Sequence, residues 1–173
     1  MSSFALEILG PDHDRAGFSS GRDSVDRYLK ETARGHQEKG ISVTRVLVPA
    51  DARAPKPVAG FFTLSSLTVE AREWPGVAKG LPKGPVPAVL LGRLAVASSW
   101  QGRGLGGILV ATARQITREA LLRTGGLGMV VDAADETVVS FYQKFGFRRV
   151  SENALRLFLP AASLAGGAEI GGI

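Results

Sequence analysis

Gln101-Gly102-Arg103-Gly104-Leu105-Gly106-Gly107 is the segment whose residue types and spacing point most directly to chemistry. An apolar, β-branched run precedes it and an amphipathic run follows, so it joins a strand to a helix. A glycine-rich turn at a helix N-terminus leaves backbone N–H groups without intrahelical partners, where the macrodipole also favours negative charge. That is a cradle for a phosphate or pyrophosphate, with Arg103 adding charge. A Walker loop is excluded, because no Gly-Lys-Ser/Thr follows the glycines. Gly102, Gly104 and Gly107 do match the dinucleotide pattern G-x-G-x-x-G, and Asp132 ends a later strand. A dinucleotide fold, however, opens with this turn and needs several βα units after it. The remaining chain is too short for them, and a lone match of this kind is weak.

A second group is Tyr142 among Phe141, Phe145 and Phe147. Taken by itself, Tyr142 reads as a core aromatic. Charge supplies the third feature. Lys79, Lys83, Arg93, Arg103, Arg114 and Arg118 fall in a stretch with no acidic residue. Such a run is either a solvated basic face or the footprint of a polyanion, the cofactor phosphates or nucleic acid. The chain has no cysteine, which excludes disulfides, thiolate metal sites and cysteine nucleophiles. Two histidines, His13 and His36, are too few for most histidine-rich metal sites, and no metal is expected.

The elements that must position these groups follow from periodicity. Phe4–Leu9 reads as a strand, and Ser19 and Ser20 before Asp23 as a helix start. Val25, Tyr28, Leu29, Thr32 and Ala33 recur at helical spacing, predicting an amphipathic helix over about Arg22–Lys39. Strands at Ile41–Pro49 and Val58–Val69 flank a turn at Asp51–Pro57, as in a hairpin. Proline and glycine make Arg72–Pro87 a loop. Val89–Val96 is the strand before the glycine turn, and Leu105, Ile108, Leu109, Thr112, Ile116 and Ala120 give the following helix one apolar face. Gly125 and Gly126 end it. A strand at Leu127–Asp132, a short helix from Glu136 to Phe145 stopped by Gly146, and strands at Phe147–Val150 and Leu155–Leu159 complete the chain. Strands and helices in this mixed order indicate an α/β or α+β layered fold. Residues 1–160 are expected to form one domain and 161–173 a flexible Ala/Gly-rich tail.

The bulk numbers agree with an ordinary soluble domain: 173 residues, 45% hydrophobic, 21% charged and a net charge of +5. No apolar run approaches the length of a membrane span, and the N-terminus lacks a signal peptide's regions, so a cytoplasmic location with no membrane partner is expected.

Gln101 to Gly106 resembles the Q/R-x-x-G-x-G/A turn of the GNAT acetyltransferase superfamily. Asp135-Glu136-Thr137-Val138-Val139-Ser140-Phe141-Tyr142-Gln143-Lys144-Phe145-Gly146-Phe147 is similar to that superfamily's second signature, N-x-x-A-x-x-F-Y-x-x-x-G-F, with Asp135 in place of Asn and Val138 in place of Ala. The two occur in the family's order. The resemblance implies a single mixed, mostly antiparallel sheet with a splayed central strand pair, flanked by helices. It also implies acetyl-CoA as cofactor. Gly102, Arg103, Gly104, Leu105, Gly106 and Gly107 would hold the pyrophosphate, Leu94, Ala95 and Val96 would pair with the pantetheine amides, and Gln101, Asp135 and Phe141 would complete the cofactor site. Tyr142 becomes the general acid toward the departing thiolate, a role suited to a phenol that stays protonated at pH 7.

A base is less evident. Glu70 and Glu73 near the end of the long strand are candidates, and a solvated surface pair is the plain alternative. An α-amine is already partly neutral near pH 8, so the lack of an obvious base leans toward an α-amino acceptor.

A closer resemblance covers residues 15 to 160. Phe18-Ser19-Ser20-Gly21 through Val25-Asp26-Arg27-Tyr28-Leu29, then Ala33 and Gln37, resembles the opening of TacT/AtaT-type GNAT toxins. Val58 to Ser65, Gly92-Arg93-Leu94-Ala95-Val96 and Arg156 to Pro160 resemble later parts of the same proteins, while Ala97 replaces their usual Asp. This resemblance implies an enzyme that acetylates the α-amine of aminoacyl-tRNA and blocks translation, neutralised by a ribbon-helix-helix antitoxin, with a homodimer as the family's form. Arg93, Lys83, Arg72 and Lys79, with Arg103, would then form the track for the tRNA acceptor stem. Two other readings share the cofactor residues: a GNAT enzyme acting on a small amine or protein terminus, and a non-catalytic GNAT-fold interaction protein.

Overall fold

The computed structural model describes residues 3–70, 72, 74 and 80–165; Glu73 and Lys79 lie outside them. The chain forms two compact units. One comprises the residues up to Ser65 with Leu91–Val110, and the other comprises Ser66–Leu90 with the residues from Ala111 onward.

The first unit is built from β1 (Phe4–Ile8), β2 (His13–Asp14), α1 (Asp23–Arg27), α2 (Ala33–Glu38), β3 (Val43–Pro49), β4 (Lys56–Pro57), and the relevant parts of β5 (Gly60–Val69) and β6 (Val86–Val96). Its sheet runs in the order β1-β3-β5-β6. β3 pairs antiparallel with both neighbours, placing Leu47 between Leu6 and Gly60. The expected hairpin is therefore present, and β2 and β4 add a separate parallel ladder. That ladder is fastened by Glu7, which accepts from Lys56 Nζ at 2.7 Å and pairs with His13 Nε2 at 2.8 Å. Lys56 and His13 together hold the Glu7 carboxyl below its ordinary pKa.

Gly60 is required where it stands. A Cβ there would lie 2.9 Å from Leu109 Cδ1 and 3.0 Å from the Ala95 carbonyl oxygen. The residues expected to form one helix over Arg22–Lys39 form α1 and α2 joined by a π turn at Tyr28–Thr32, in which the Ala33 N–H reaches back to the Tyr28 carbonyl. A widened turn of this kind leaves the apolar pattern intact and is invisible in it. Tyr28, Leu29 and Ala33 pack with Phe18, Val46, Val48 and Phe61 in the core.

The second unit holds most of α3 (Leu105–Thr124), then β7 (Gly128–Asp132), α4 (Glu136–Gln143), β8 (Arg148–Arg149) and β9 (Arg156–Pro160). Its strands run β6-β7-β9-β8, with β9 antiparallel to β7 and to β8. β6 begins at Val86, inside the segment expected to be loop. Pro87 is tolerated there because pairing uses its carbonyl, which accepts the Leu127 N–H at 2.9 Å, and not the N–H it lacks. The chain also stays packed beyond Pro160, where the tail was expected to begin. Ala161–Ser163 form a helical turn, the Ala161 N–H reaches the Leu127 carbonyl at 2.9 Å, and Leu164 is buried. The apolar anchor at Leu164 stood alone among small residues, too little to register as a pattern. Among the described residues no helix is long and apolar enough to cross a membrane.

Candidate active site

The glycine turn opens with Ser98–Trp100, a single turn of 3-10 helix in which the Trp100 N–H bonds the Ala97 carbonyl at 2.8 Å. Gly102 (φ 76°) and Gly104 (φ 79°) then take left-handed backbone conformations that favour glycine. Space in front of both is open: a Cβ at either would meet nothing within 4 Å. At the start of α3 the Ile108 N–H bonds the Gly104 carbonyl at 3.3 Å. The N–H groups of Leu105, Gly106 and Gly107 precede it, in the turn whose donors an α-helix leaves to other acceptors. Buried Leu105 anchors this turn to the core. A pyrophosphate fits such a surface, which combines open approach, several N–H donors and no acidic side chain.

Neighbouring side chains hold the turn in place. Gln101 Nε2 donates to the Val96 carbonyl at 3.0 Å and to the Ser20 carbonyl at 2.9 Å. Gln101, expected as a cofactor ligand, thus has its amide nitrogen committed to fastening the turn to the end of β6 and to the loop before α1. Ser20 is held in turn by buried Asp26, whose Oδ1 accepts the Ser20 N–H at 3.0 Å and the hydroxyl at 2.5 Å. Ser19 and Ser20 therefore do not cap α1; Arg22 occupies that position, with no side-chain cap bond. Asp26 and Ser20 are support residues that the sequence reading did not assign to the site, although both lie in the opening motif. Arg103 is exposed and rests its guanidinium 4.9 Å from the Trp100 ring centre. Ala95 is buried, while Leu94 and Val96 are half-buried.

In the second unit, Asp135 caps α4: its carboxylate accepts the Val138 N–H at 3.0 Å, and Glu136 occupies the first turn, where negative charge is favoured. This gives the residue at the signature's first position a role in the fold. Tyr142 follows on α4 and is 5% exposed, its ring edge-on to Phe141 (5.0 Å) and Phe147 (5.5 Å). Its hydroxyl has no hydrogen-bond partner among the described residues. Burial pushes the phenol well above the ordinary tyrosine pKa, so at neutral pH it is wholly protonated. Gly146 (φ 90°) ends the helix as expected. Phe141 is half-buried and stacks between Tyr142 and Phe145.

The candidate base Glu70 is exposed and pairs with Arg72 at 3.8 Å, a solvated surface pair. Of the basic track, Lys83 is exposed just before β6, Arg72 is held loosely by Glu70, and Lys79 lies outside the described residues. Arg93, in the first unit, is exposed and stacks 4.6 Å over the Tyr28 ring centre. Its Nη1 donates to the carbonyl of Gly92 at 3.0 Å, and it has no carboxylate partner among the described residues.

Comparison with known proteins adds four findings. The model of the acetyltransferase (GNAT) domain family matches residues 64–149. The chain is 36% identical over 148 residues to a tRNA-acetylating toxin of Mycobacterium tuberculosis (strain ATCC 25618 / H37Rv), covering 84% of this chain and 85% of that protein. Among solved structures, it superposes on AtaT complexed with acetyl-methionyl-tRNAfMet with a TM-score of 0.86, at 30% identity over 94% of this chain and 98% of that one. It likewise superposes on a tyrosine-to-phenylalanine variant of the AtaT toxin bound to acetyl-CoA and the C-terminus of the antitoxin AtaR (TM-score 0.77, 30% identity, 93% and 95% covered).

Proposed function

This chain belongs to the GNAT acetyltransferase family, and from that membership we propose that it transfers an acetyl group from acetyl-CoA to the α-amine of an aminoacyl-tRNA, acting as a translation-blocking toxin. The observation that carries the substrate is the 36% identity, over most of both chains, to a tRNA-acetylating toxin. Arg93, exposed and without a carboxylate partner among the described residues, and the net charge of +5 support a polyanionic acceptor.

Gly102, Gly104 and the first turn of α3 receive the pyrophosphate, with Arg103 supplying positive charge. Leu94–Val96 offer backbone groups to the pantetheine arm, and the family resemblance adds Phe141 and Asp135 to the cofactor-binding residues. Acetyl-CoA, when bound, supplies a thioester carbonyl open to attack and a thiolate leaving group. The neutral α-amine of the acceptor attacks that carbonyl, so that a C–N bond forms and the C–S bond breaks. The sulfur departs with the bonding pair and the amine's proton passes to water. Tyr142 donates its O–H to the departing sulfur and is reprotonated from solvent. Because burial raises the phenol's pKa, the neutral phenol is the form to which it returns before the next turnover. Arg93, Lys83, Arg72 and Lys79 contact the acceptor-stem phosphates. A ribbon-helix-helix antitoxin neutralises the enzyme, which works in the cytoplasm as a homodimer.

The decisive experiment incubates the protein with radiolabelled acetyl-CoA and either charged or uncharged tRNA. Label is expected in charged tRNA only. Label in polyamines or peptides with none in charged tRNA would overturn the substrate, and no transfer to any acceptor would overturn the activity. Tyr142→Phe is expected to lower kcat by roughly 10²–10⁴-fold with acetyl-CoA affinity unchanged; full turnover by that variant removes the general-acid assignment.

A further inference from the structure

Arg114 lies mid-helix on α3 and is 8% exposed, yet no carboxylate pairs with it among the described residues. A buried cation without a counter-ion is costly, and an apolar side chain of similar volume would fill the space without that cost. Burial accordingly lowers the pKa of its guanidinium. What it has instead are two backbone oxygens: Nη1 donates to the Phe145 carbonyl at 3.2 Å and Nη2 to the Ser163 carbonyl at 2.8 Å.

Phe145 is the third residue after Tyr142, in the turn that closes α4. There the Phe145 N–H bonds the Tyr142 carbonyl at 3.0 Å and the Gly146 N–H bonds the Gln143 carbonyl at 3.2 Å. Carbonyls at a helix C-terminus lack intrahelical donors and carry the negative end of the dipole, so a guanidinium there is both a donor and a matching charge. The same turn delivers Phe147, whose ring packs edge-on against Tyr142. Holding the Phe145 carbonyl therefore fixes the backbone on one side of the phenol and the ring that buttresses it on the other.

We propose that Arg114 is a positioning residue for acetyl transfer, holding the Phe145 carbonyl so that the α4 turn presents the Tyr142 hydroxyl at one fixed place. This rests on the reading of Tyr142 as the general acid. Catalysis is sensitive to small displacements of an acid, so loosening this turn slows the chemical step without touching cofactor binding.

The test is a double-mutant cycle on initial rates with acetyl-CoA and bulk aminoacylated tRNA, each variant first checked for folding by its melting transition. Arg114→Met is expected to lower kcat by about 10-fold or more while the KM for acetyl-CoA stays within about twofold. Arg114→Lys, which retains a donor, recovers part of the loss. In a Tyr142→Phe background, Arg114→Met is expected to cost nothing further, because the group it positions is gone. An equal fold loss in both backgrounds overturns the positioning role and leaves the general acid standing. Full turnover by Tyr142→Phe alone instead overturns the general acid on which it rests. Should Arg114→Met fail to fold, Arg114→Lys in the two backgrounds decides the question by the same criterion.

Discussion

At Tyr142, burial acts on one phenol in two ways. It removes water that would compete for the hydroxyl, and it disfavours the phenolate, raising the pKa above the ordinary value of 10. A raised acid pKa means that the protonated form persists to higher pH, so Tyr142 contributes no falling alkaline limb to the rate. The rising limb belongs to the acceptor, whose α-amine becomes neutral between about pH 7 and 8. The expected profile of kcat for aminoacyl-tRNA rises through that range and is flat to about pH 9.5, read as label transferred in single-turnover assays. A fall centred near pH 8 or 9 would show that a neighbouring positive charge holds the acid below the ordinary tyrosine value, contrary to the rise that burial produces. The helix end that carries Tyr142 was legible because its cause is local: F-Y-x-x-x-G-F stops at a glycine, and Gly146 takes the left-handed conformation there. Gln101 and Asp26 were less legible for a physical reason. Gln101 Nε2 bonds Ser20, far back in the chain, and Asp26 matters to the turn only through that same serine. No local pattern encodes such a chain of contacts.

Elements were legible in proportion to how local their causes are. The strand, glycine turn and long helix from Val89 to Thr124 follow from periodicity, and α3 ends at Gly125 as the sequence predicts. The π turn in the first helical segment and the start of β6 at Val86 depend on pairing with other elements, so periodicity missed both. Gly60 is the clearest example of an element fixed from outside. It opens β5, yet what forbids a side chain there is the Ala95 carbonyl of β6, at 3.0 Å from an added Cβ, together with Leu109 of α3. Leu109 is flexible at its tip, but the carbonyl belongs to the strand read as the pantetheine partner and cannot turn aside without moving it. Gly60→Ala is therefore expected to destabilise the protein by roughly 1–3 kcal/mol, as overpacking does, and to weaken acetyl-CoA binding alongside. Denaturant unfolding and calorimetric titration check the two effects. A variant as stable as the parent would mean that β6 has freedom to shift which its packing does not suggest.

For the whole molecule, the net charge of +5 sets how any polyanion approaches. Basic residues on a protein are usually solvated, so charge alone does not make a binding track. Arg93 differs from most in being held: its guanidinium is stacked on buried Tyr28, and no carboxylate competes for it among the described residues. Such a side chain loses little freedom when it meets a phosphate, whereas Arg72, already near Glu70, must give up a weak partner. If Arg93, Lys83, Arg72 and Lys79 each neutralise one phosphate, the affinity for charged tRNA falls with salt at a log–log slope of about −3 to −3.5. Between 50 and 200 mM salt that is a loss of roughly 60- to 130-fold. Arg93→Ala is expected to weaken binding across all tRNAs and to lessen the slope by about 1, because one released counterion is missing. Filter binding or fluorescence anisotropy over a salt series reads both quantities. An affinity insensitive to salt would remove the basic track, whereas an Arg93→Ala variant with the parent's slope would remove Arg93 alone and leave the remaining cations to carry the contact.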